Sequence, residues 1–268
     1  MVDDIRILGN AKAVKGIDIE GVWQVFLQHI KIYDVKETGI LVNGSDGLRL
    51  FDVDALNTGS VQGIGKGLHV TKTNGIGLTK VSMNQFECGI YLSPPAGSDV
   101  NYIFGTQVLS EGNSGAGWYF GGDGGLAFIY VYLAAANWND VGIDIEKGTQ
   151  IWFIAPRVKG NKRYGIFING GDNIFLVSPH VRDNSTDSPR TYPGIYIKAN
   201  DVQIIGGIST GGNQSYGVEF GGGYRINIFG LKTTFNGLGP ISGLSLIHIS
   251  EPTRPLSTSY AVFCLKKK

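Results

Sequence analysis

The stretch GIDIE occupies residues 16–20, and the same five letters return at residues 142–146. A duplicated domain is one explanation. A shorter period with blurred intermediate copies is the other, and the residues between the two copies favour it. A glycine followed by apolar-any-apolar begins at Gly16, Gly39, Gly67, Gly89, Gly117, Gly142, Gly165, Gly194 and Gly217. Successive steps are 23, 28, 22, 28, 25, 23, 29 and 23 residues. In a glycine-rich chain chance supplies many such matches, so the regular spacing is the informative part.

A second signature rides on the same period, with apolar residues at positions 0, +2 and +6. It is seen at Ile5/Ile7/Ala11, Tyr102/Phe104/Val108, Trp152/Ile154/Val158, Phe175/Val177/Val181 and Val202/Ile204/Ile208. Turn clusters separate the signatures: NGSDG at 43–47, GGDGG at 121–125 and NGGD at 169–172 among them. Alternation of β-branched and aromatic residues, broken by glycine within a few positions, means short strands rather than helices. Two or three such strands per repeat cannot bury an apolar face alone. Stacked in parallel at about 4.8 Å, equivalent strands form a continuous core. The fold class predicted is all-β: a single-stranded right-handed parallel β-helix, a solenoid of about nine to ten coils. Its hand rests on the preference of parallel crossovers. Ile17/Ile19, Ile40/Val42 and their successors point inward in this reading, and the residue between each pair points outward.

One elongated domain over residues 1–243 accounts for the length. Ile5-Arg6-Ile7 is already a second-signature strand, so the N-terminal end is expected to start in mid-coil, uncapped. Residues 244–268, LSLIHISEPTR through SYAVFCLKKK, lose the period and resemble a translated sequencing adapter. A non-native, disordered tail is expected there. The net charge of +1 becomes −2 once that segment is set aside, which implies no nucleic-acid partner. The longest apolar run, residues 126–136, is too short to span a bilayer, so no membrane insertion is expected. Outside the tail Cys88 is the one cysteine; no disulfide framework or metal-binding cysteine pair is present, and no cofactor is implied. NST at Asn184 and NQS at Asn213 are glycosylation acceptors only in a secretory context that nothing else supports.

Chemistry is sought on the outward columns. The first reads Asp18, Leu41, His69, Tyr91, Tyr119, Asp144, Phe167, Tyr196, Glu219. The second, two residues on, includes Glu20, Asn43, Thr71, Glu146, Asn169, Lys198 and Gly221. Aromatic side chains such as Tyr91, Tyr119, Phe167 and Tyr196 suit the C–H faces of sugars. Asp144 and Glu146, at i and i+2 on one strand, stand about 6.6 Å apart by rise. That approaches the separation an inverting glycosidase needs for water between acid and base. Asp18 with Glu20 repeats the pattern. Against this, outward carboxylates are ordinarily a solvated face, and outward aromatics equally suit a subunit contact. The longest coil, RDNSTDSPRTYP at 182–193, could wall a groove, with Arg190 binding acidic sugars, or be a plain polar loop. His69 is expected to be exposed, Cys88 a small filler, and Trp118 core.

The nine-rung pattern resembles the pectin-lyase-like superfamily of right-handed parallel β-helices. GIDIEGVWQVFLQHIKIYDVKETGILV at 16–42 and GIYIKANDVQIIGGIS at 194–209 look most like phage tailspikes and related polysaccharide-degrading proteins. The resemblance implies binding and often cleavage of surface polysaccharide, a homotrimer, and a virion or extracellular setting. The family's sharper motifs are missing. The polygalacturonase aspartates with Gly-His-Gly, the pectate-lyase Trp-x-Asp-His and the Asp-Pro-His of mannuronan epimerases have no counterpart, and SPHVR at 178–182 is too loose to carry a role. Two classes stay open: a depolymerase, glycoside hydrolase or polysaccharide lyase, with Asp144 and Glu146 catalytic; or a non-catalytic receptor-binding or structural shaft. No metal site is indicated.

Overall fold

The computed structural model describes residues 5–188, 190–209 and 212–243, and the backbone of Ile247–Ser250. It is a parallel β-helix, in which every strand pairs parallel with its counterpart one coil away. One sheet carries the glycine signature, through strands such as Cys88–Leu92, Ala116–Phe120, Val141–Ile145 and Ile166–Ile168. A second sheet includes Asp99–Glu111, Gly125–Tyr132, Thr149–Ile154 and Asp172–Val177. A third, narrow sheet runs through Ala135–Asn137, Arg157–Lys159 and His180–Arg182. The apolar run at 126–136 is divided between strands of the second and third sheets. No helix among the described residues is long and apolar enough to cross a membrane.

The signature glycine has a steric cause. A Cβ at Gly16 would lie 2.6 Å from the carbonyl oxygen of Gly39, one at Gly39 the same distance from that of Gly67, and one at Gly117 the same from that of Gly142. The nine rungs from Gly16 to Gly217 thus admit only glycine where the chain enters the sheet, the last described rung carrying Pro240 there, and the glycine fixes the phase of everything after it. The inward positions follow: Ile40, Val42, Leu68, Ile90, Trp118, Ile143, Ile145, Ile166 and Ile195 are fully buried. At about 1.5–3 kcal/mol per buried large aliphatic side chain, this column is the main stabilising feature of the sheet.

The second signature needs correction. Trp152 pairs with Phe175 and Phe175 with Gln203, while Val202 falls in the column of Ile151 and Ile174. Ile5 pairs with Ile30, and so stands in the column of Val53, Val81 and Val108 rather than that of Tyr102. The set at 0, +2, +6 therefore mixes inward with outward residues. Both faces of this sheet are apolar, so alternation alone cannot tell one from the other.

A buried asparagine ladder, absent from the sequence reading, runs up one corner. The backbone N–H groups of Asn113, Asn139 and Asn161 donate to the Oδ1 atoms of Asn139, Asn161 and Asn184 at 2.9, 2.9 and 3.1 Å. Asn184 and Asn213 continue it, with Asn184 Nδ2 donating to Asn213 Oδ1 at 2.9 Å. The two apparent glycosylation acceptors are thus fully buried structural amides. Of the segment expected to be a tail, Ile247–Ser250 pairs in parallel with Ile226–Phe229. The rest of that expectation, and residues 1–4 of the end expected to be uncapped, lie outside the described residues.

Candidate functional site

The first outward column stands in register as read. Asp18, Leu41, His69, Tyr91, Tyr119, Asp144, Phe167, Tyr196 and Glu219 are successive cross-strand partners. The second column slips twice. A bulge sets Asn43 opposite Lys72 instead of Thr71, and another sets Lys198 opposite Gly222 instead of Gly221.

Within the column the aromatic side chains form two stacked pairs. Tyr91 and Tyr119 have centroids 4.9 Å apart with planes inclined by 12°, and Phe167 and Tyr196 lie 5.2 Å apart at 21°. The rings lie down along the sheet. A Cβ at Gly121 would collide with the ring and hydroxyl of Tyr119, and one at Gly221 with those of Tyr196. Stacking turns most faces toward neighbouring rings and leaves the solvent mainly ring edges. His69 packs edge-on to Tyr91 at 5.0 Å, and the Lys66 ammonium sits 4.9 Å from the Tyr91 centroid. The exposed histidine expected at 69 is instead half-buried, and burial, reinforced by Lys66, pushes its pKa down to about 4.

Asp144 interrupts the aromatic column between Tyr119 and Phe167. Its carboxyl is half-buried, and Oδ1 is covered with no hydrogen-bond partner among the described residues. Burial first, then the charge of Glu146, pushes its pKa up to about 7, with Arg163 opposing. Glu146 stands just beyond the end of the same strand, exposed, accepting a hydrogen bond from Asn169 Nδ2 at 3.1 Å. The guanidinium of Arg163 is already engaged: its Nε donates to both carboxylate oxygens of Asp140 at 2.9 Å. Two carboxyl groups on one strand thus occupy different environments, one covered and one solvated. Asp18 and Glu20 lack that contrast: both are exposed, Asp18 is paired with Lys15 at 2.7 Å, and the next outward residue is Leu41.

The long coil reaches the column through Tyr192, which packs on Tyr164, a residue the sequence did not single out. Tyr164 lies 4.5 Å from Phe167 and 5.7 Å from Tyr196, and Tyr192 from the coil packs on Tyr164 at 4.8 Å. Arg190 is exposed in the same coil, with φ of 66°. Cys88 is buried, and burial pushes its thiol well above the usual range. Trp118 is core, as read. A polar groove of about 630 Å³ opens elsewhere, among Glu20, Asn43, Asp46, Lys72, Asp99 and Asn101, with no aromatic lining. The paired carboxyls and the rings lie together at Asp144 and not in that groove.

A second exterior ladder escaped the sequence reading altogether. Phe104, Tyr130, Trp152 and Phe175 stack on the second sheet at 5.5, 6.1 and 3.8 Å. In the next outward column Tyr132, Ile205 and Phe229 are exposed. The register of the second sheet would have been required to find it.

The fold, a parallel β-helix, is shared with solved structures of low sequence identity to this chain. The A-module of mannuronan C-5 epimerase AlgE4 from Azotobacter vinelandii superposes with a TM-score of 0.53 at 12% identity, over 94% of this chain and 79% of that one. The enzymatically active domain of tailspike protein 2 from bacteriophage CBA120 gives the same score and identity, over 93% of this chain. This chain spans 43% of that tailspike domain. No protein-family profile and no curated protein matches the sequence. At such identity the likeness concerns the fold alone.

Proposed function

We propose that this is a carbohydrate-binding β-helix that recognises and cleaves polysaccharide, in the manner of a phage tailspike or a secreted depolymerase, and so works on a virion or outside the cell. The carrying observation is the contrast between two neighbouring carboxyls in an aromatic column: Asp144 covered and held protonated up to about pH 7, Glu146 exposed. Such a division is what general acid and general base require. Asp144 protonates the leaving glycosidic oxygen while Glu146 takes a proton from the attacking water, giving an inverting hydrolysis. Tyr91, Tyr119, Phe167 and Tyr196 line the path of the chain being cleaved, and Arg190 binds it from the coil beside Phe167 and Tyr196.

The test is release of reducing ends from a panel of bacterial surface polysaccharides. Asp144→Asn and Glu146→Gln should each lower the rate about 10²–10⁴-fold. Undiminished cleavage by both variants would remove these assignments, and an unsaturated product would mark a lyase.

A second reading is favoured by the other ladder. An exterior sheet face bearing Phe104, Tyr130, Trp152 and Phe175 without charge between them suits contact with protein better than with sugar. On that reading the chain is a non-catalytic receptor-binding or structural shaft, assembled as a homotrimer. Glycan binding with no cleavage of any substrate would support it.

A further inference from the structure

From His69 to Tyr196 the aromatic column is continuous except at one rung. Tyr91 and Tyr119 cover one face of each other, as do Phe167 and Tyr196. Tyr164 does not cover the remaining face of Phe167: at 4.5 Å from Phe167 and 5.7 Å from Tyr196 it sits over their shared edge. Two aromatic faces, those of Tyr119 and Phe167, therefore confront each other across the Asp144 rung. Asp144, the shorter side chain, forms the floor between them. Two rungs separate the rings by about 9.6 Å. Two carbon–carbon contacts of about 4 Å account for most of that distance, and the pucker of a chair-form ring for the remainder. A flat aromatic guest would be too thin to touch both walls.

Charge narrows the guest further. The exposed carboxyl of Glu146 stands two residues on from the floor residue, and Arg163, the guanidinium whose charge acts on Asp144, is bound to Asp140. The ammonium of Lys147 is turned to the carbonyl oxygens of Asp123 and Gly122, at 2.9 and 3.3 Å. A carboxylated sugar placed there would meet like charge with both of these cations already occupied.

We infer that the notch between Tyr119 and Phe167 holds one uncharged pyranosyl residue of the polymer, inserted edge-on, its hydroxyls bonded to the carboxyl of Asp144 at the floor. The inference rests on the glycan-binding reading above and adds where on the face the chain is gripped and which class of sugar sits there. The rest of the polymer then crosses ring edges, which grip weakly, so the notch sets the register of cleavage.

The second sheet supplies the test, because its four consecutive aromatics show that such a ladder stacks without interruption. Asp144→Phe should complete the first ladder in the same way and close the notch. The readout is affinity electrophoresis against neutral homopolymers (a glucan, a mannan and a galactan) and two polyuronates, polygalacturonate and alginate. The wild-type chain should be retarded by at least one neutral polymer and by neither polyuronate. Asp144→Phe should weaken that binding at least tenfold. Gln203→Phe, which lengthens the other ladder beside Phe175, should leave it unchanged. If Asp144→Phe fails to fold, Tyr119→Leu and Phe167→Leu, each removing one wall, should each weaken binding by a similar factor. Neutral-polymer binding that survives closure or loss of the walls overturns the notch but leaves a glycan-binding face elsewhere on the column. Binding to polyuronates alone overturns the uncharged guest. Retardation by no polymer at all overturns the glycan reading and the notch with it.

Discussion

At the scale of single residues, position in a stack matters more than residue type. Asp18 and Asp144 share the motif GIDIE, yet Asp18 is exposed beside Lys15 and Asp144 is enclosed between two rings. The consequence is measurable as linkage. Asp144 is raised from 3.8 to about 7, so between those values the folded protein holds a proton that the unfolded chain has lost. Its contribution therefore falls as pH rises from about 4 to about 7, and is level above that. Asp144→Asn should flatten this slope and melt higher than the wild type at pH 8; parallel melting curves for the two proteins across pH 4–8 would contradict the assignment. For the same reason cleavage should decline as pH rises through about 7, when the acid loses its proton. Glycine is the other decisive residue type. Gly121→Ala would drive the Tyr119 ring from its place along the sheet, forfeiting a stacked pair of about 0.5–1.5 kcal/mol. Glycan affinity should drop, and a titration of the variant checks it.

Among elements, the asparagine ladder carries the corner that feeds the site. Asn161 Oδ1 receives the backbone N–H of Asn139, and its Nδ2 donates to Ala136 O at 3.1 Å and Asn184 Oδ1 at 2.8 Å. Asn161→Ala leaves buried groups unpaired at about 1–3 kcal/mol each, so the urea midpoint should fall clearly. An unmoved midpoint would show that the corner reorganises freely. The ladder also shows what the sequence hides. Asn113, Asn161 and Asn213 each stand four residues before a signature glycine, a regularity that was available but easily lost among glycosylation-like triplets. The first sheet was legible because backbone crowding demands glycine on the nine rungs from Gly16 to Gly217, and a residue that cannot vary fixes the phase. The second sheet has no such anchor and is apolar on both faces. Its strands were found, but the register that places Val202 with Ile174 and Trp152 with Phe175 was not. Tyr164, Tyr192 and the Arg163–Asp140 pair come from coils of unequal length, where no periodic argument reaches.

For the whole molecule, a solenoid presents each column as one long strip, so the two ladders give it two aromatic faces. The first is punctuated by carboxyls; the second has an uninterrupted run of four rings beside exposed Tyr132, Ile205 and Phe229. If the second face is covered by other copies of the chain, Trp152→Lys should shift sedimentation toward the monomer while leaving glycan binding intact. A chain that sediments as a monomer in both forms would argue against that contact. The central claim, that polysaccharide is gripped and cut at the Asp144 rung, is tested most directly by a crystal structure of Glu146→Gln with a bound oligosaccharide. A sugar ring in contact with both Tyr119 and Phe167, its glycosidic oxygen within hydrogen-bond reach of Asp144, is the result expected. Sugar seated on the second sheet, or in the polar groove beside Asp46 and Asp99, would contradict it.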